Sequence, residues 1–258
     1  WKEETPALMQ NLIAVLEGIE ETASDTDKWY LLGGGSRGLQ KFKKPTVTPI
    51  NYGKIEYLGD SIIEQGVSII ADFYSGIATV YNNGHSGHCY GAGGAGTLNN
   101  TTFLNAIISH APDFVFLQAG TNDFGNNVVI GSPDSSNVNE MSGGLNAIIN
   151  TIQTALPNCR IIISTPSPRY YTGSTQFQAN GIGKYYVEYV DAIISVAARH
   201  SIIVNDRWRK MGVNQYNKNA FTTDGLHLKP AGYARMLEAD LALLKTLSPI
   251  FKSLRKHR

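Results

Sequence analysis

From residue 54 onward, short apolar runs alternate with stretches of helical periodicity. The runs 54–58, 77–81, 113–118, 160–164 and 201–204 are rich in Ile, Val, Phe and Tyr and predict five strands. Helical spacing predicts helices over 61–74, 101–110, 145–156, 183–199 and 230–247. In the third of these, Leu145, Ile148, Ile149, Ile152 and Leu156 share one face. Strands that alternate with helices in this way imply a parallel sheet covered on both faces, joined by right-handed crossovers.

The first 49 residues read differently. Thr5 as a cap, Pro6 at the first helical position and a stripe of Leu12, Ile13, Leu16 and Ile19 predict an N-terminal helix. From 20 to 49 the periodicity is lost, and Gly33-Gly34-Gly35 has no Gly-Lys-Ser/Thr helix start behind it, so a linker replaces any phosphate loop. The expected division is therefore an N-terminal helix and linker, 1–49, and one α/β domain, 50–258.

Composition narrows the function. Hydrophobic residues make up 42% of the 258, ample for a core. The formal net charge is +1, and the basic tail from Lys252 to Arg258 stands alone, which argues against a nucleic-acid partner. No apolar stretch approaches the roughly 20 residues that span a membrane. Charged residues are 17%, below the roughly 25% usual for soluble domains, which favours an extracellular setting. Cys89 and Cys159 are either paired or both free. The chain starts at Trp1 without a visible signal peptide, so it is read as a processed product or an excised piece.

Four polar segments fall just after predicted strands or in a late loop, where open α/β sheets bind ligands. Tyr57-Leu58-Gly59-Asp60-Ser61 ends an apolar run on a hydroxyl that opens a helix. Asp224-Gly225-Leu226-His227 sets a carboxylate three residues before a histidine, so one turn can supply a general base and the group that orients it. Gly87 in Asn83-Gly84-His85-Ser86-Gly87 offers a close backbone N–H, and Asn122 in Gly120-Thr121-Asn122-Asp123 offers a side-chain amide; Gly84 rivals Gly87. A nucleophile, a base and amide donors are the parts that acyl transfer needs.

In their order and spacing these segments resemble the blocks of the SGNH, or GDSL-type, hydrolases, over roughly four-fifths of the chain. The resemblance implies Ser61 as nucleophile, His227 as base and Asp224 as its orienter. It implies an oxyanion hole made by the Ser61 N–H, the Gly87 N–H and Asn122. A flavodoxin-like three-layer α/β/α fold and chemistry without a metal or organic cofactor also follow from it. The N-terminal extension is not required by that core.

Other residues are read around this set. The pair His85 and His88 lacks a third ligand nearby, so no metal is expected. Asp60 and Asp123 are taken as hydrogen-bonded scaffolding and not as a glycosidase pair. Asp60, His85, Phe124 and Tyr170 are candidates for contact with substrate. Loops 124–142 and 165–181 are rich in Gly, Asn, Ser and aromatic residues, and should border the cleft. Their amide and aromatic character suits stacking on a sugar ring, and nothing in them resembles the long apolar channel of a fatty-acyl site. A short-chain acyl ester is therefore expected, an O-acetyl group on a carbohydrate, carried by a small molecule or a polysaccharide. The alternatives are a lysophospholipase or thioesterase of the same fold, or a non-catalytic polysaccharide-binding module. In that last case residues 1–49 would attach the domain to a larger envelope or virion assembly.

Overall fold

The computed structural model describes residues 51–255 together with two strands before them, Trp29–Leu32 (β1) and Gln40–Lys43 (β2); side chains are described over 51–247. Two compact units emerge, Trp1–Pro49 and Ile50–Arg258. In the first, β1 and β2 pair antiparallel, with Trp29 opposite Lys43. These strands lie where the sequence reads as aperiodic linker. Each has only four residues, too few for a period of two to stand out. The helix expected from Thr5 lies outside the described residues.

The second unit begins with β3 (Lys54–Gly59), α1 (Ser61–Gln65), α2 (Val67–Tyr74) and β4 (Thr79–Gly84). A small parallel pair follows, β5 (His88–Cys89) and β6 (Gly96–Thr97), and then α3 (Thr101–His110). Next come β7 (Phe114–Gln118), α4 (Thr121–Gly125), α5 (Met141–Ala155), β8 (Arg160–Ser164) and α6 (Tyr186–Arg199). The chain closes through β9 (Ile203–Asn205), α7 (Arg207–Lys210), α8 (Lys218–Phe221) and α9 (Pro230–Arg255).

The main sheet is parallel, in the order β4-β3-β7-β8-β9. Counted along this unit the order is 2-1-3-4-5, the flavodoxin-like winding. Successive strand residues point to opposite faces, and the core divides accordingly. Leu58, Val115, Leu117, Ile161 and Ile163 pack with Ile107 of α3, Ile148 of α5 and Ile193 of α6. Ile55, Tyr57, Phe114, Phe116 and Ile162 pack with Ile70 of α2 and Met236 of α9. Helices therefore cover both faces. Among the described residues no helix is long and apolar enough to cross a membrane. Cys89 and Cys159 are both free.

The five expected strands and five expected helices are present, 101–110 and 160–164 with the expected ends and the others with shifted ones. The stretch 61–74 is two helices, because Gly66 breaks the run where the Tyr233 ring of α9 packs against it; a Cβ there would lie 2.5 Å from that ring. The second strand starts two residues later than expected and runs on to Gly84, since β3 offers it partners up to Gly59. The strand expected at 201–204 occupies 203–205, and Asn205 pairs with Ser164.

A buried polar cluster locks the layers. Arg207 and Asp240, both fully buried, meet with Nη2 at 2.8 and 2.6 Å from the two carboxylate oxygens. Asp240 also accepts from Tyr57 Oη at 2.9 Å and Asn205 Nδ2 at 2.7 Å, and Arg207 Nη1 donates to Gln118 Oε1. Three strands are thereby tied to α9. Asp240→Ala should lower unfolding free energy by about 3–5 kcal/mol in urea titrations, because it leaves a buried guanidinium unpaired. The double change Arg207→Met with Asp240→Leu should lose less, as it removes both charges; equal or greater loss would argue that the ion pair itself is not the element at stake.

Candidate active site

The register of the sheet levels the carboxyl ends of its central strands. Gly59 lies opposite both Gly84 and Gln118, and Gln118 lies opposite Ser164. The segments that follow β3, β4 and β7 consequently leave the sheet side by side. His85 N donates to Gly59 O at 2.8 Å and Asp60 N to Gln118 O at 3.3 Å, which holds the three exits together.

Ser61 opens α1 at the exit of β3. Asp60 caps the helix, its Oδ1 accepting the Ile62 N–H at 3.0 Å, so the chain turns sharply and presents the next side chain upward. Ser61 is 7% exposed, and its Oγ lies 3.0 Å from His227 Nε2. Among the described residues the Ser61 N–H has no acceptor.

His227 and Asp224 come from one tight loop between α8 and α9. Thr222 bridges Leu228, and Thr223 N donates to His227 O at 2.9 Å. Asp224 Oδ1 accepts the N–H groups of Leu226 and His227 at 3.0 and 2.8 Å, while Oδ2 stands 2.7 Å from His227 Nδ1. Gly225 makes the turn possible: its φ is +88°, and a Cβ would lie 2.3 Å from Tyr170 O. A carboxylate only accepts, so Nδ1 carries the ring proton and Nε2 is left to accept from Ser61. Burial pushes the Asp224 carboxyl up, but the hydrogen bonds from the His227 ring and from two backbone N–H groups outweigh it and hold the pKa below the ordinary value. The side chains of His227 and Asp224 are 26% and 36% exposed. The site is open.

Gly87 and Asn122 lie on the neighbouring exits. Gly87 has a φ of +76°, its carbonyl accepts from Ala95 N at 3.1 Å, and its N–H has no acceptor among the described residues. Asn122 Nδ2 donates to His88 O at 3.0 Å, which orients the amide and leaves its second N–H available. At the rival Gly84 a Cβ would lie 2.2 Å from the Glu64 nitrogen of α1, and its N–H donates to Asn82 Oδ1 at 3.1 Å. Asp123 accepts the N–H groups of Tyr90 and Gly91, each at 3.0 Å, and so anchors the same loop.

The four candidates for substrate contact fare unevenly. Asp60 is fully buried beneath α1 and reaches no solvent. Phe124 is buried in the core, edge-on to Tyr186 and Tyr189. Tyr170 is buried too; its N–H donates to Gly225 O at 2.7 Å and its ring packs edge-on to Phe177. None of these three exposes more than 6% of its surface. His85 is half-buried, stacked on Phe103 at 3.4 Å between centroids, with Nε2 2.7 Å from Asn83 Oδ1. Burial lowers its pKa, helped by His88. Exposed aromatics stand beside the buried ones instead: Tyr171, Phe177 and, past α7, Tyr216.

Two further groups were not singled out in the sequence. Arg169 is buried with its Nη1 2.8 Å from Thr121 Oγ1, next to Asn122, and its Nε 2.7 Å from Ser174 O. Burial lowers its pKa, and among the described residues no carboxylate pairs with it. Glu64, one turn after Ser61, accepts from both Ser86 N and Ser86 Oγ. Neither residue belongs to a motif, so only its spatial neighbours reveal it.

Comparison with known proteins places this geometry in context. The family model described as GDSL-like lipase/acylhydrolase matches residues 57–235. No curated protein matches the chain. Among solved structures, a Lactobacillus plantarum protein is similar with TM-score 0.68 at 19% identity, over 76% of this chain and 98% of its own. A GDSL-like lipase from Bacteroides thetaiotaomicron gives 0.56 at 18%, over 76% and 89%. A catalytic mutant of Axe2, an acetylxylan esterase from Geobacillus stearothermophilus, gives 0.52 at 16%, over 76% and 95%. At these identities the likeness is one of fold.

The buried carboxyls leave a signature in pH. Burial pushes Asp60 from 3.8 up to about 7 and Asp123 up to about 6, against the pull of their backbone hydrogen bonds. The folded state keeps these protons after the unfolded chain has released them, so their contribution is fully present below about pH 4 and is lost as pH rises through 6 to 7. Asp60→Asn is neutral throughout. Its melting temperature relative to wild type should therefore rise between pH 5 and pH 8; parallel melting profiles would show that Asp60 ionises freely in the fold.

Proposed function

Because the chain belongs to the GDSL-like lipase/acylhydrolase family, we propose that it is a serine esterase that cleaves short-chain acyl esters, above all O-acetyl groups on a carbohydrate, through a covalent intermediate on Ser61. The observation that carries the reaction type is the hydrogen-bonded line from Ser61 Oγ to His227 Nε2, 3.0 Å, and from His227 Nδ1 to Asp224 Oδ2, 2.7 Å.

In this reading Ser61 Oγ attacks the ester carbonyl while His227 Nε2 takes its proton, and Asp224 stabilises the imidazolium that forms. The negative charge on the carbonyl oxygen is met by the Ser61 N–H, the Gly87 N–H and the Asn122 amide. His227 then protonates the departing alcohol, and water repeats the sequence on the acyl-enzyme. The residues need no metal or organic cofactor for any of these steps.

The substrate class rests on the openness of the site and on its surroundings. His227 and Asp224 both reach solvent, which suits an ester displayed on a bulky sugar. Tyr171 and Phe177 stand exposed on the segment that meets Gly225, and aromatic faces of this kind stack on the apolar faces of pyranose rings. The acetylxylan esterase of Geobacillus stearothermophilus has the same fold, so the fold accommodates that chemistry.

Hydrolysis of p-nitrophenyl acetate, butyrate and octanoate tests the proposal. Turnover should be highest on acetate, fall by about 10³-fold or more in Ser61→Ala, and fall by about 10²–10³ in Asn122→Ala. A steady rise from acetate to octanoate would move the assignment to lysophospholipid or thioester substrates. Equal turnover by wild type and Ser61→Ala would leave a polysaccharide-binding module as the better account.

A further inference from the structure

Gly87 sits in a loop, 85–91, that hangs between two helices. On one side α4 holds it: Asn122 Nδ2 donates to His88 O, and Asp123 accepts from Tyr90 N and Gly91 N. On the other side stands α1, the helix that begins with Ser61. Its Glu64 turns one carboxylate oxygen, Oε2, to Ser86 and accepts two hydrogen bonds there, from N at 2.8 Å and from Oγ. Ser86 immediately precedes Gly87. The backbone of α1 also rests on the end of β4, with Asn82 Nδ2 2.8 Å from Ile63 O and no Cβ on Gly84 to hold the two apart.

We infer that Glu64 is a positioning residue that fixes the Gly87 N–H relative to the Ser61 hydroxyl. Two donors on one residue fix both the backbone and the side-chain torsion of Ser86. On the far side of Gly87, its carbonyl is held by Ala95 N. With both flanks bound, the Gly87 N–H, which like the Ser61 N–H has no acceptor among the described residues, is held ready for a developing negative charge. The bonds to Glu64 are charge-assisted and therefore stronger than those to a neutral acceptor. Both reacting elements, the nucleophile and the loop with its backbone donor, then move as one body with α1. This inference rests on the esterase reading given above.

The role asked of Glu64 is geometric, and Gln can play it, since an amide oxygen also accepts two hydrogen bonds. Glu64 and Ser86 are exposed, so substitution there leaves the core packing intact. The experiment measures kcat and KM for p-nitrophenyl acetate, with melting temperature, in wild type, E64A, E64Q, S86A and E64A/S86A. E64A should lose roughly 10-fold or more in kcat, with KM changed by no more than about 2-fold, because misplacing a group by about 1 Å costs up to about 10²-fold. E64Q should retain at least about one third of wild-type kcat. S86A should lose less than E64A, because its backbone N–H remains, and E64A/S86A should be no worse than E64A alone. Wild-type kcat in E64A, losses that multiply in the double variant, or E64Q as impaired as E64A would each overturn the inference. A wild type with no serine-dependent turnover on any ester would instead overturn the esterase reading, and this inference with it.

Discussion

The organisation of the site depends on the register of β3 with its two neighbours. Gly59 is level with Gly84 on one side and Gln118 on the other, so three chain segments leave the sheet at one height. Had either pairing slipped by a residue, side chains would have changed faces and the exits would have parted. Because the register holds, a hydroxyl from the first exit, a backbone N–H from the second and an amide from the third come from adjacent strands. The fourth contribution, from the loop before α9, arrives by packing: α9 lies on the same face as α2 and is bound to β3 through Tyr57 and Asp240.

Four carboxylates near this edge do different work according to their surroundings. Asp224 is half-open and well supplied with donors, so it stays ionised beside His227. Asp60 and Asp123 are fully buried, the first bound to the Ile62 N–H and the second to those of Tyr90 and Gly91, and burial pushes both pKa values up. Glu64 is exposed and held below its usual value first by the Ser86 hydroxyl. The residue type alone says little here. Solvent access and donor count decide which of them carries charge at neutral pH.

The edge also concentrates buried polar atoms. Among the described residues Asp60 Oδ2, Gln118 Nε2, Ser164 Oγ and Ser167 Oγ are buried without a hydrogen-bond partner, and all follow or end the central strands. Of these residues, Gln118 also accepts from the buried Arg207 through Oε1, and Asp60 directly precedes Ser61 in the chain. Such groups are retained at a cost in stability, and functional edges are where folds tolerate it.

Much of the fold was legible in the chain because it depends on local order. Alternation of apolar runs and helical spacing revealed the five parallel strands, and the three-residue separation of Asp224 and His227 brought them together through one turn whatever the rest of the fold. Ser61 could be placed at a strand exit for the same reason. What the chain did not reveal required neighbours far apart in sequence. The short strands β1 and β2 carried no period; Gly66 interrupts a helix where Tyr233, from α9, lies against it; Phe124 and Tyr170 fall in loops expected at the cleft, and packing buries both side chains. Glu64 and Ser86 are 22 residues apart with no motif to link them. Local pattern determines which backbone states a segment adopts, since hydrogen bonding and side-chain period act over a few residues. Which side chains then face solvent, and which meet one another, is decided by packing energy summed over the whole domain, and only the tertiary structure performs that sum.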